Sequence, residues 1–191
     1  MQDFWAQPEL DAPIDVGHFN RPLMAAAIFH ETNRVRQQLK LPVFRMLPKL
    51  DEAANLEAAV GKVYQPPSHT NPFPLIGTPA ERVKYVGLDA SRVAENIALL
   101  SIYDVDPDVG VGMLLRDGRR VAVDPRTQAA LQPASYRGFA VAVVRAWMAS
   151  PGHRANLVEP KLACLGCSVQ PAVNVIGVDH LFCVQVFFTP E

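Results

Sequence analysis

Three cysteines in 191 residues are too few to build a disulfide scaffold, and an odd count leaves at least one thiol unpaired in a monomer. Neither sign of charge is in excess. Eighteen Lys+Arg stand against nineteen Asp+Glu, a formal net charge of −1, so no global field draws the chain to nucleic acid or to an anionic membrane. Long apolar runs are missing too: the stretch from Phe139 to Val144 is far shorter than a transmembrane helix requires. No basic-then-apolar leader opens the sequence, so an exported form would need a leader removed ahead of Met1. No internal repeat or low-complexity tract is present.

What remains is an ordinary globular balance. Hydrophobic residues make up 49% and charged residues 19%, with mean hydropathy +0.07, too apolar for a disordered chain. The length suits one substantial core and is short for two, so a single domain is expected, with a monomer as its state. Proline is abundant. Its clusters at Pro8 and Pro13, from Pro66 to Pro79, and at Pro107, Pro125 and Pro133 mark loops, because each proline denies helix and strand a donor.

Residues 1–19 have no sustained period and predict an extended N-terminal arm, pinned to the body by Phe4 and Trp5. The domain proper runs from 20 to 191. Asn20 is a good N-cap and Pro22 suits a helix start, predicting a helix to about Lys40 with Leu23, Ala27, Ile28, Val35 and Leu39 inward and Glu31, Arg34 and Gln38 outside. A second helix opens at Pro48 and buries Leu50, Ala53, Ala54, Glu57 and Ala58. Thr78 caps a short third helix that Gly87 closes. The residues from Val93 to Leu100 form a connecting segment too short to classify by period. Asp117-Gly118 between apolar flanks predicts a hairpin within 114–123. A long helix capped by Ser135 turns Phe139, Val143, Ala146 and Trp147 inward, and Pro151-Gly152 bends the chain after it. Leu162 to Gln170 and Leu181 to Phe188 predict an antiparallel pair joined through Asn174 and Gly177. Helices around a small antiparallel sheet make the class α+β.

Several segments in this order resemble the SCP/CAP superfamily of cysteine-rich secretory, antigen 5 and pathogenesis-related proteins, and in particular its bacterial single-domain branch, over about residues 28 to 188. Asn33 and Arg36 stand in an Asn-x-x-Arg setting, and Leu47-Pro48-Lys49-Leu50 resembles the Leu-Pro-x-Leu approach to the second helix. Ser68-His69-Thr70-Asn71-Pro72 is similar to the bacterial Ser-His-Thr-x-Pro loop, and Ala94-Glu95-Asn96-Ile97-Ala98 to Gly-Glu-Asn-Ile-Ala with its first glycine changed. The most specific piece is Trp147-Met148-x-Ser150-Pro151-Gly152-His153-Arg154-x-Asn156-Leu157. Gly166 and Val184-Gln185-Val186-Phe187 match the closing hairpin. The second glutamate after the helical tryptophan and the later Gly-His of many eukaryotic members are absent in that form. The insert from 104 to 127 has no obvious counterpart there.

The resemblance implies a three-layer α-β-α sandwich, export to the cell envelope or beyond, and one cleft gathering His69, Glu95 and His153, with Asn156 and Gln185 beside it. Two imidazoles suit zinc or another divalent metal, and Glu95 is a candidate third ligand, orienting group or catalytic base. Equally, two His and one Glu can bond to each other and to loop backbone and hold irregular segments in place. A binding module for a small molecule, lipid-like ligand, peptide or metal, with no required cofactor, is the leading expectation. The rivals are a metal-assisted peptide or ester hydrolase in the same cleft and a protein-interaction domain with an inert cleft. Ser68 and Ser150 lack a nucleophile-elbow pattern, and Ser150 is expected to cap the helix end. Cys164-x-x-Cys167 has no second pair with which to build a zinc ribbon. If the last hairpin turns around Asn174 to Val175, Cys167 falls nearly opposite Cys183, and a cross-strand disulfide is expected, with buried free thiols as the alternative.

Overall fold

Asn20 takes up the capping role its side chain suits: its Oδ1 accepts from the Leu23 N–H, and α1 (Arg21–Gln38) follows. The structure, a computed structural model, describes residues 4–63, 67–105, 109–173 and 177–190; Met1, Pro66, Pro107, Asn174 and Val175, which figure in the sequence argument, lie outside these. A two-residue strand β1 (Arg45–Met46) leads into α2 (Pro48–Gly61), started by Pro48 as expected. α3 (Pro79–Tyr85) begins with a full capping box between Thr78 and Glu81, and Gly87, at φ +75°, ends it. Then come β2 (Ala90–Ser101), β3 (Gly112–Arg116), β4 (Arg119–Val123), α4 (Tyr136–Ala149), α5 (Pro151–Val158), β5 (Cys164–Val173) and β6 (Asp179–Pro190).

The main sheet has the order β1-β5-β6-β2, antiparallel except for β1, which runs parallel to β5. Residues of α1, α4 and α5 share one core with Leu165, Val169, Cys183 and Phe187. Residues of α2 and α3 share another with Phe182, Val184, Val186 and Phe188 on the opposite face. The three-layer α+β arrangement is therefore as expected, with each buried Phe or Leu contributing about 1.5–3 kcal/mol. Gly166 lets α2 approach, since a Cβ there would stand 2.2 Å from the Leu50 carbonyl carbon. Trp147, 1% exposed, packs in the core and donates from Nε1 to the Ile97 carbonyl at 3.2 Å. The hairpin forms where Asp117-Gly118 placed it, both residues at positive φ, as a two-residue turn of its kind demands.

Several expectations fail for identifiable reasons. The N-terminal arm is not extended: its described part is a string of 3-10 turns that buries Leu10 and Ile14 and stacks Phe4 on His30 at 4.0 Å. Glu31, placed outside by the helical period, is 2% exposed, because two bonds of 2.6 and 2.7 Å to Arg34 let its charge be buried. Leu39 is exposed beyond the end of α1, and Ala146 is exposed on α4. The segment around Glu95 is no connector but the edge strand β2, with Ala94 in ordinary strand pairing opposite Phe187. The chain continues past Ser150 directly into α5, and the Ser150 side chain caps neither helix. The register of the final pair puts Cys167 opposite Gln185 and Cys183 opposite Val169. All three cysteines are free and buried, so the expected disulfide does not form.

Candidate functional site

β2 carries Glu95 and Asn96 side by side, and a strand sends successive side chains to opposite faces. Glu95 points toward α2 and α3. There its Oε1 lies 3.0 Å from His69 Nδ1, while its Oε2 accepts from Arg82 Nη2 at 2.7 Å. Arg82 also donates from Nη1 to Glu57 Oε2 at 2.8 Å and to the Ile76 carbonyl at 2.9 Å, and from Nη2 to the His69 carbonyl at 3.3 Å. Asn71 donates from Nδ2 to Glu57 and to the Ile76 carbonyl, both at 2.9 Å. The proline-rich loop is thus tied by one guanidinium and one amide, and its His69 is carried at the surface on a buried carboxylate. The side chains of Glu95 and Arg82 are 1% and 0% exposed, that of His69 53%.

Charge accounting explains the behaviour of the imidazole. Glu57 and Glu95 bring two negative charges and Arg82 one positive, so a protonated His69 neutralises the group. The hydrogen bond that His69 donates to Glu95 outweighs partial burial and raises the His69 pKa above its ordinary value. Burial pushes the Glu57 carboxyl up, against the opposing pull of Asn71 and Arg82. Arg82 Nε finds no partner among the described residues, which leaves one buried donor unmatched.

Asn96 faces the other layer. Its Nδ2 donates to the His153 carbonyl at 3.2 Å and to Gln185 Oε1 at 3.3 Å, its Oδ1 accepts from Asn156 at 2.9 Å, and Gln185 Nε2 donates to Thr32 Oγ1 at 2.8 Å. Asn156 Nδ2 also reaches across to the Glu95 carbonyl at 3.2 Å. The five residues singled out from the sequence therefore divide. His69 and Glu95 meet directly, Asn156 bonds the backbone of Glu95, and Gln185, fully buried, belongs to a satisfied amide cluster rather than to an opening. His153, in the first turn of α5, is half-buried. Burial lowers its pKa, and the charge of His69 lowers it further.

A three-ligand metal site does not emerge from this geometry. Both Glu95 oxygens are engaged by His69 and Arg82, and His69 spends Nδ1 on Glu95, leaving Nε2 as its outward atom. Among the described residues no group of three or more His, Cys, Asp or Glu side chains is arranged to hold a metal ion. Ser68 Oγ lies 3.2 Å from Thr70 Oγ1 and accepts from the Thr70 N–H. Sequence reasoning missed Arg82 entirely. Glu57 carried a signal, a charged residue on the buried stripe of its helix, that calls for a buried partner.

No helix among the described residues is long and apolar enough to cross a membrane. A search of curated proteins gives no match. Among solved structures, the chain is similar to an extracellular protein containing an SCP domain from Bacillus anthracis, with TM-score 0.58 and 20% identity over 93% of this chain and 44% of that one. It thus spans less than half the length of that relative. It is also similar to an outer surface protein from Borrelia burgdorferi, with TM-score 0.57 and 15% identity over 95% of this chain and 99% of that one. At these identities the likeness shows the fold alone. The sequence profile of the cysteine-rich secretory protein family matches residues 29–187, more than four-fifths of the chain, and on that match the chain belongs to the CAP family.

Proposed function

We propose that this CAP domain is an extracellular or cell-envelope binding module whose recognition groups are the imidazoles of His69 and His153. The reading rests on one observation: Glu95 has both oxygens committed, one to His69 and one to Arg82, so it fixes an imidazole and leaves no oxygen open to serve as a base. A ring held through Nδ1, with its pKa raised, offers Nε2–H to an acceptor at mildly acidic pH. His153, its pKa lowered, supplies a ring that favours the neutral form. That pairing of donor and acceptor suits a carboxyl-bearing small molecule or a peptide end better than a scissile bond. Placement outside the cell is supported by the two similar bacterial proteins, one extracellular and one of the outer surface.

The test is a histidine NMR titration with sodium acetate, a C-terminally free tripeptide and zinc chloride as probes. Without additives His69 titrates above and His153 below the ordinary histidine value of about 6.5. Carboxylate probes raise the His69 pKa further, and Glu95→Gln removes most of that response. Stoichiometric shifts of both rings by zinc alone would instead favour a two-histidine metal site. Turnover of ester or peptide panels that Glu95→Gln abolishes would favour the hydrolase. Rings silent to every probe would leave the cleft without a binding role.

A further inference from the structure

A cavity of about 840 Å³, not lined by His69 or His153, lies between the end of β2, the start of the insert, the outer face of α4 and the beginning of β6. Its volume falls within the range of small-molecule sites, roughly 300–1,000 Å³. None of His69, Glu95 and His153 lines it. Along α4 it runs from Gly138 to Ala149, twelve residues separated by eleven helical rises, or about 16 Å. This explains the exposed Ala146. α4 carries two apolar faces: Phe139, Val143 and Trp147 turn to the core, while Ala142 and Ala146 wall the cavity. Val105, Gly110 and Val111 of the insert also line it, so that segment contributes to this opening.

The polar groups at its walls are mostly donors. Ser101 Oγ accepts from the Tyr103 N–H and Ser135 Oγ accepts from the Gly138 N–H, which leaves both hydroxyl protons free to donate. Burial, and behind it the charge of Asp179, raises the Tyr103 pKa, so that phenol keeps its proton. Arg145 adds a guanidinium that forms no ion pair among the described residues. Against these stand the Asp104 carboxylate and the His180 ring, whose Nδ1–H is spent on the Val178 carbonyl at 2.9 Å.

We infer that this cavity is a second binding site, taking an organic anion with an apolar body, of the aryl or alkyl carboxylate or sulfonate kind. The body lies along Ala142, Ala146 and Val111, and the acid group sits at Arg145. This inference is independent of the histidine site.

Two fluorescent probes test it in the full chain: 1-anilinonaphthalene-8-sulfonate, and its neutral analogue N-phenyl-1-naphthylamine. Wild-type protein binds both, the sulfonate more tightly. Ala146→Trp fills the groove and weakens both at least tenfold, with far-UV circular dichroism and cooperative unfolding confirming a native fold. Arg145→Gln weakens the sulfonate about fivefold, as expected for loss of one partly exposed charge partner, and leaves the neutral probe unchanged. Should Ala146→Trp misfold, Ala142→Gln makes the same test with less bulk. Absence of binding to wild type, or equal binding to the filled variants, overturns the site, because the probes would then sit elsewhere, as on exposed Leu75 and Tyr85. Equal losses of the two probes in Arg145→Gln overturn the preference for anions.

Discussion

Replacing Arg82 with methionine keeps most of the side-chain length and removes the charge that bridges two buried carboxylates. Glu57 and Glu95, both within 6% of full burial, would then face each other and the His69 ring without a strong counter-charge. Breaking a buried ion pair from one side costs about 3–5 kcal/mol, a fifth or more of the typical stability of about 5–15 kcal/mol for a domain. At a urea slope of about 2 kcal/mol per molar, the unfolding midpoint drops by roughly 2 M at pH 7. The loss should depend on pH. Glu57 already titrates above its ordinary range because of burial, and removing Arg82 pushes it higher. A carboxyl whose folded pKa is raised contributes stability below its unfolded value and loses it as pH rises through the folded value, so the variant recovers as the pH is lowered from neutral. Adding Glu57→Gln and Glu95→Gln to Arg82→Met should restore much of the midpoint. A shift below about 0.5 M, or a triple variant as weak as the single, would refute the claim that stranded charge sets the cost.

Two further outcomes follow from the packing. Gly166→Ala drives a Cβ into the backbone of Leu50 and Asp51, at 2.2 and 2.5 Å, and should cost about 3 kcal/mol or more in a urea melt, whereas Gly152→Ala, with open space around it, should cost under about 1 kcal/mol. Denatured protein that has never met a reductant should show three titratable thiols, while the native fold resists thiol reagents, because burial raises the Cys167 and Cys183 pKa values and thiolate is the reactive form.

Local chemistry made much of the fold legible. Asn20, Thr78 and Ser135 each accept from a backbone N–H of the first turn, and Asp117-Gly118 turns the hairpin, because caps and tight turns depend on a few neighbouring residues. The motif carrying His69 and the motif carrying Glu95 do meet, although no local spacing dictates it. The cysteine register failed for a general reason. A slip of two residues keeps every side chain on its face, so the apolar pattern of β5 and β6 tolerates both pairings and only the turn decides. β2 escaped classification because it is covered on both faces, which erases the alternation that marks a half-exposed strand. Arg82 was invisible for want of a pattern: on a seven-residue helix a single arginine fits the solvent side as readily as a buried one, and only the carboxylates of two other elements select it.

The peptide unit at Glu95 belongs to both layers at once. Its carboxylate anchors the histidine loop through one face, its carbonyl receives Asn156 from α5, and the next residue grips the His153 carbonyl and Gln185. Because that strand is the rim of the sheet, the Asn156 amide also plugs an edge acceptor that another chain's strand would otherwise find. The same few atoms act as rivet and stopper, so loosening them would free the helical layers to slide and leave an adhesive border exposed together.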